Sequence, residues 1–244
     1  MMSMTLRRVA VAAALTAVAF GASANNTHDA FVDIAGATAT DGFNNLVAGR
    51  ITTANLVAGV AANVADSDGG AKLQRLTGGF YPASFGLYSW STDSAFGLNV
   101  ASAIADLGSV TLQSFVTVDT SQGVTGLSSA AYLPTLSYNG GTQKLAAVYT
   151  LTPVSGGFGM DGEPLPASPT NPNYGVFTWD LSGVTTPITS FSVNFGLTTH
   201  ASALAFQLDQ TAVAAVPEPE TYALMLAGIG LVGFVARRRH RAAA

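Results

Sequence analysis

Val110-Thr111-Leu112-Gln113-Ser114-Phe115-Val116-Thr117-Val118 is rich in β-branched and aromatic residues and is bounded by Gly108 and Asp119. That is the composition and punctuation of a β-strand. The same two-residue period returns downstream in Val176–Leu181. In Ile188–Phe195 it puts Ile188, Ser190, Ser192 and Asn194 on one face and Thr189, Phe191, Val193 and Phe195 on the other. Leu204–Asp209 places Leu204, Phe206 and Leu208 on one side. Gly86–Trp90, Phe96–Ala101, Tyr132–Tyr138 and Leu145–Leu151 read as further strands. Tyr138-Asn139-Gly140-Gly141 reads as a hairpin-type turn, because Asn-Gly tolerates positive φ. The stretch Phe43–Ala65 fits a strand pair better than an alanine-rich helix, given Val57, Val60 and Val64 and the nearby glycines. Many short strands with glycine-rich turns predict a mainly β body, an antiparallel β-sandwich of jelly-roll-like kind.

One interruption stands out. Val154–Asn173 holds Gly156, Gly157, Gly159, Gly162, Pro164, Pro166, Pro169 and Pro172, so neither a helix nor a central strand fits there. It reads as a surface excursion.

The two ends of the chain differ from this body. The chain has 244 residues, 48% hydrophobic and only 10% charged, against roughly 25% charged in ordinary soluble domains. Residues 1–24 have the order of a secretory signal peptide. Arg7 and Arg8 supply the positive start, and Val9 to Phe20 is apolar but too short for a span of about 20 residues. Ala22-Ser23-Ala24 is an A-x-A site for signal peptidase, with Ala22 and Ala24 as the small residues it needs. The body is then 25–215, and the tail is 216–244.

Without its ends the chain is acidic. Four bases (Arg50, Lys72, Arg75, Lys144) face twelve acids, a formal charge of −8. Phosphate binding needs clustered lysine and arginine, so nucleic acid is excluded as a partner. Divalent cations and neutral sugars remain compatible. Cysteine is absent, which removes disulfide, thiolate-metal and thiol-nucleophile chemistry.

Catalytic constellations are hard to assemble from what is left. His28 and His200 are the only histidines of the body, and no G-x-S-x-G elbow or H-E-x-x-H spacing accompanies them. His200 therefore reads as a polar turn residue. Asp66-Ser67-Asp68-Gly69-Gly70 is the best acidic cluster: Asp66 and Asp68 are calcium candidates, though no glutamate closes an EF-hand-like loop and an ordinary turn has the same composition. A glycosidase needs two carboxylates across the scissile bond, and the body offers Glu163 and eleven aspartates without a spacing that pairs any two. Trp90 and Trp179 suit sugar stacking, but both are assigned to the core, Trp179 because it sits in an alternating apolar set.

The tail has three parts in a fixed order. Val216-Pro217-Glu218-Pro219-Glu220 is short and polar, 221–236 is an apolar run of 16 residues, and Arg237, Arg238, Arg239 and Arg241 make a basic end. Sixteen helical residues reach about 24 Å, slightly short of a ~30 Å hydrocarbon core that snorkelling arginines and local thinning can match. The positive-inside rule keeps the arginines cytoplasmic and leaves the proline motif on the outer side. This order resembles the PEP-CTERM sorting domain of Gram-negative bacteria, with Pro217-Glu218-Pro219 as the signature. The resemblance covers only the tail. It implies an exported precursor held transiently in the inner membrane, processed by an exosortase, and delivered to the cell surface or an exopolysaccharide matrix. The expected function is that of a non-enzymatic surface or biofilm-matrix protein. A polysaccharide-acting hydrolase and a calcium-stabilised carbohydrate-binding module are the alternatives.

Overall fold

The strand quoted first is real and is the hub of a sheet. The structure, a computed structural model, describes residues 31–84, 86–117, 130–154, 157–158, 164–165, 173–213 and 226–229. In chain order the strands are β1 (Ala37–Phe43), β2 (Val60–Ala61), β3 (Ala71–Thr77), β4 (Phe80–Ala83), β5 (Gly86–Ser89), β6 (Ser94–Val100), β7 (Leu107–Val116), β8 (Thr135–Tyr138), β9 (Leu145–Ala146), β10 (Val148–Thr152), β11 (Gly157–Phe158), β12 (Pro164–Leu165), β13 (Tyr174–Asp180), β14 (Phe191–Leu197) and β15 (Ser202–Ala212). One short helix, α1 (Thr53–Ala58), interrupts them.

The strands form two antiparallel sheets. The seven-stranded sheet runs β10-β13-β7-β15-β5-β4, and β1 pairs with the later part of β15. The six-stranded sheet runs β2-β3-β6-β14-β8-β9. Both contribute to one apolar core: Phe80 and Phe206 of the larger sheet meet Phe96 of the smaller at ring-centroid distances of 4.9 and 5.5 Å. Phe195 lies 4.1 Å from Phe96 and 5.1 Å from Phe206. Each such buried ring contributes about 1.5–3 kcal/mol through its removal from water. The chain divides into two compact units after Ala212, and the strands named above lie in the first.

Most predicted strands recur with ends shifted by a few residues, and Phe191, Val193 and Phe195 are buried on one face of β14 as the alternation requires. The turn at 138–141 also forms: Asn139 and Gly140 have φ of 51° and 68°, and Gly141 N–H donates to Tyr138 C=O at 2.9 Å. In the excursion, β11 and β12 make a two-residue ribbon.

Three expectations need correction. Phe43–Ala65 is not simply a strand pair: 53–58 is helical, because Thr52 and Asn55 form a reciprocal cap. Thr52 Oγ1 accepts from Asn55 N–H and Asn55 Oδ1 accepts from Thr52 N–H, satisfying donors a helix start leaves free. Leu145–Leu151 is two strands, β9 in the smaller sheet and β10 in the larger, with Ala147 between them. Leu204 does not share a face with Phe206 and Leu208. The register between β15 and β7 shifts at Ala203/Ala205, and Leu204 packs instead with Phe31, Phe115 and Tyr174 on the sheet's outer side.

Candidate functional site

The β4–β5 hairpin carries the most unusual surface among the described residues. Its register pairs Tyr81 with Tyr88 and Pro82 with Leu87, so the tyrosines share the face opposite the buried Leu87. Ser202 pairs with Tyr88, which docks the hairpin on β15. The pairing continues past β5: Ser89 N–H donates to Ala201 C=O at 3.0 Å and His200 N–H to Ser89 C=O at 2.6 Å. That brings Trp90 and His200 together on the tyrosine face, with ring centroids 6.0 Å apart and planes at 88°. Tyr88 lies 5.9 Å from Trp90 and 6.1 Å from Tyr81. The four rings form one continuous aromatic strip.

Backbone fit holds this strip in place. Gly86 has φ +119°, and a Cβ there would collide with the Ala203 carbonyl oxygen, so only glycine lets the hairpin approach β15 this closely. After Trp90 the chain turns at Ser91–Asp93. Ser89 Oγ donates to Thr92 C=O at 2.8 Å and lies 2.9 Å from Ser94 Oγ. Asp93 Oδ1 accepts from Thr199 N–H and Oγ1 at 2.8 and 2.9 Å, and its other oxygen accepts from the Tyr132 hydroxyl. The Tyr132 and Thr199 hydrogen bonds hold the Asp93 carboxyl below the usual range, so this clip stays ionised in mild acid.

Tyr88 Oη and His200 Nδ1 are 2.8 Å apart. Burial, with Tyr81 alongside, pushes the Tyr88 phenol up, so the hydroxyl keeps its proton beside the imidazole. Trp90 is 56% exposed and Tyr81 38%. Trp179 is 2% exposed, and its indole N–H donates to Leu145 C=O at 2.9 Å. The core assignment therefore holds for Trp179 and fails for Trp90. His200 does occupy a turn, at φ +68°, but it is also a member of the aromatic strip. The signal was present in the period of Gly86–Trp90, which puts Tyr88 and Trp90 on the side opposite Leu87.

Asp41, Asp68 and Asp209 serve the fold. Asp68 Oδ1 accepts from Thr40 N–H at 2.9 Å, while Asp68 N–H donates to Thr40 C=O, so this residue clips the 66–71 loop to β1. Asp66 is exposed in the left-handed region at φ +65°. Among the described residues no group of three or more His, Asp or Glu side chains is arranged to hold a metal. Asp41, buried on β1, accepts from the backbone N–H of Ala71 at 2.9 Å. Asp209, buried on β15, accepts from Thr40 Oγ1 at 2.7 Å and from the amides of Gln207 and Gln113 at 3.3–3.4 Å. Burial raises both carboxyls despite these donors. Gln113 also exchanges two hydrogen bonds with the backbone of Val32 and accepts from the Tyr174 hydroxyl.

The signal-peptidase residues Ala22 and Ala24 lie outside the described residues, as do His28, Glu163, Val216, Pro217, Glu218, Pro219, Arg237, Arg238, Arg239 and Arg241. Within the apolar run, residues 226–229 are helical, with Leu226 and Ile229 exposed. Among the described residues no helix is long and apolar enough to cross a membrane.

Residues 215–239 match the family model described as the PEP-CTERM protein-sorting motif, which identifies the tail as a sorting signal. No curated protein and no solved structure matches the chain.

Proposed function

We infer that the chain is exported through the inner membrane, held there by its tail, processed by an exosortase near Pro217–Glu220, and left at the cell surface or in the extracellular matrix. The observation that carries this is the sorting motif at 215–239. The signal-peptide-like sequence of residues 1–24 and the arginine end support the same orientation. The body, 25–215, acts there as a non-enzymatic binding protein with a jelly-roll-like sandwich frame. Support for that role comes from the aspartates Asp41, Asp68, Asp93 and Asp209, each engaged in holding backbone or hydroxyl groups. Support also comes from the large exposed aromatic strip, since big apolar side chains left at a surface mark interaction sites.

Mass spectrometry of the protein recovered from the envelope and the medium tests the sorting reading. The expected mature chain starts at Asn25 and ends within 217–220. Recovery of only the intact end, with Arg241 present, would show a permanent anchor and overturn exosortase processing.

A further inference from the structure

Trp90 is a large apolar ring left mainly in water. It is more than half exposed, yet its ring is braced edge-on by His200 and flanked by Tyr88, and the backbone just before it is held by the Ser89 pairing with Ala201 and His200. A side chain held in one orientation loses little further freedom on binding. Tyr81 and Tyr88 extend the same face with hydroxyls, and exposed Ser91 and Thr92 add more. The Tyr88 bond to His200 Nδ1 fixes the orientation of the imidazole and leaves its Nε2 as a further polar group of the face. The site thus combines flat apolar rings with neutral hydrogen-bonding groups.

The charge of the region selects among occupants. Residues 80–94 and 198–204 contain no lysine or arginine, and their single acid, Asp93, is clipped to Thr199 and Tyr132. An anionic polymer or an acidic membrane surface meets no lysine or arginine on the segments that carry the four rings, Arg75 being turned to the Gly78 carbonyl, and the body's net negative charge repels it. A pyranose ring presents an apolar C–H face and an equatorial rim of hydroxyls, which matches aromatic rings bordered by neutral donors and acceptors. We propose that Tyr81, Tyr88, Trp90 and His200 form a binding face for a neutral polysaccharide, with one pyranose ring stacked on Trp90. This rests on the export reading, which brings the face among extracellular glycans.

The two tryptophans make the test direct. The mature chain recovered from the producing cell is titrated with dextran, cellohexaose and laminarihexaose as neutral probes and with alginate oligomers as the anionic control. Acrylamide quenching reads Trp90, because Trp179 is buried. At least one neutral probe is expected to protect Trp90 from quencher, alginate is expected to have no effect, and Trp90→Ala is expected to weaken retention on that neutral polymer at least tenfold. Trp90→Phe should lose less. An unchanged thermal midpoint in Trp90→Ala shows that folding is intact. No protection by any neutral probe, equal protection by alginate, or full retention by Trp90→Ala would overturn the proposal. So would a dimer or a binding to zwitterionic vesicles that Trp90→Ala abolishes while the sugars have no effect. None of these outcomes alters the mature ends read by mass spectrometry, so the face and the sorting signal fail separately.

Discussion

The two faces of the seven-stranded sheet are built to opposite rules. Its inner face gives Val110, Leu112, Phe177, Trp179, Phe206 and Leu208 to the core shared with the other sheet. Its outer face carries Gln113, Gln207 and Asp209 in one polar network, Phe115 and Tyr174 in a second apolar cluster, and the Trp90 strip at the hairpin edge. One tryptophan sits on each side. Trp179 has its ring packed and its N–H satisfied; Trp90 has its ring open to water. The contrast teaches that residue type sets how much apolar area is available, while register decides whether the fold or a partner uses it.

The contrast can be broken most severely from the inner side. Trp179→Ala should cost about 3–5 kcal/mol, as expected for an aromatic removed from a close-packed core, and chemical denaturation would measure it. Gly86→Ala should cost about 1–3 kcal/mol, because the new Cβ meets the Ala203 carbonyl at strained φ. The same variant should disturb Trp90 quenching, since the hairpin reaches the sheet through β15.

A pH series sharpens the comparison. The raised carboxyls of Asp209 and Asp41 keep their protons in the folded chain at pH values where the unfolded chain has released them. Their contribution is fully present below the ordinary value of about 3.9 and is lost as pH rises through the folded values. Asp209→Asn should therefore flatten the fall in melting temperature between mild acid and neutral pH. An unchanged slope would show that this carboxyl does not set it. The smallest expected effect belongs to Trp90→Ala, whose stability should stay within about 0.5 kcal/mol of the parent.

Much of this was legible beforehand. Leu107–Val116, Tyr174–Asp180 and Phe191–Leu197 alternate in sequence because each buries at least one apolar face, and that periodicity needs no knowledge of the partner strand. The tail was legible for a different reason, since its order of motif, apolar run and arginines is local. β1 was not legible. Its inward positions are Ala39, Asp41 and Phe43, and Asp41 is tolerable only because backbone donors at 69–71 reach it from 30 positions away. Gly69 serves that contact, as a Cβ there would collide with the Asp41 carboxylate. Trp90 was missed because the alternation of Gly86–Trp90 gives two faces without saying which one another sheet covers.

β15 joins the parts that sequence separates most. It is the last strand before the sorting signal, and among the described residues it is the only strand partner of β1 and the only link between the β4–β5 hairpin and β7. Its contact with β1 ties residue 37 to residue 211. Such distant pairings form late, because the intervening chain must be closed at once. A chain threading outward N-terminus first would hold β1 and the aromatic hairpin unpaired until β15 has emerged, shortly before the tail itself arrives. Completion of the fold and arrival of the sorting signal then become consecutive events in time, and the assembled Trp90 face is a mark that β15 has emerged.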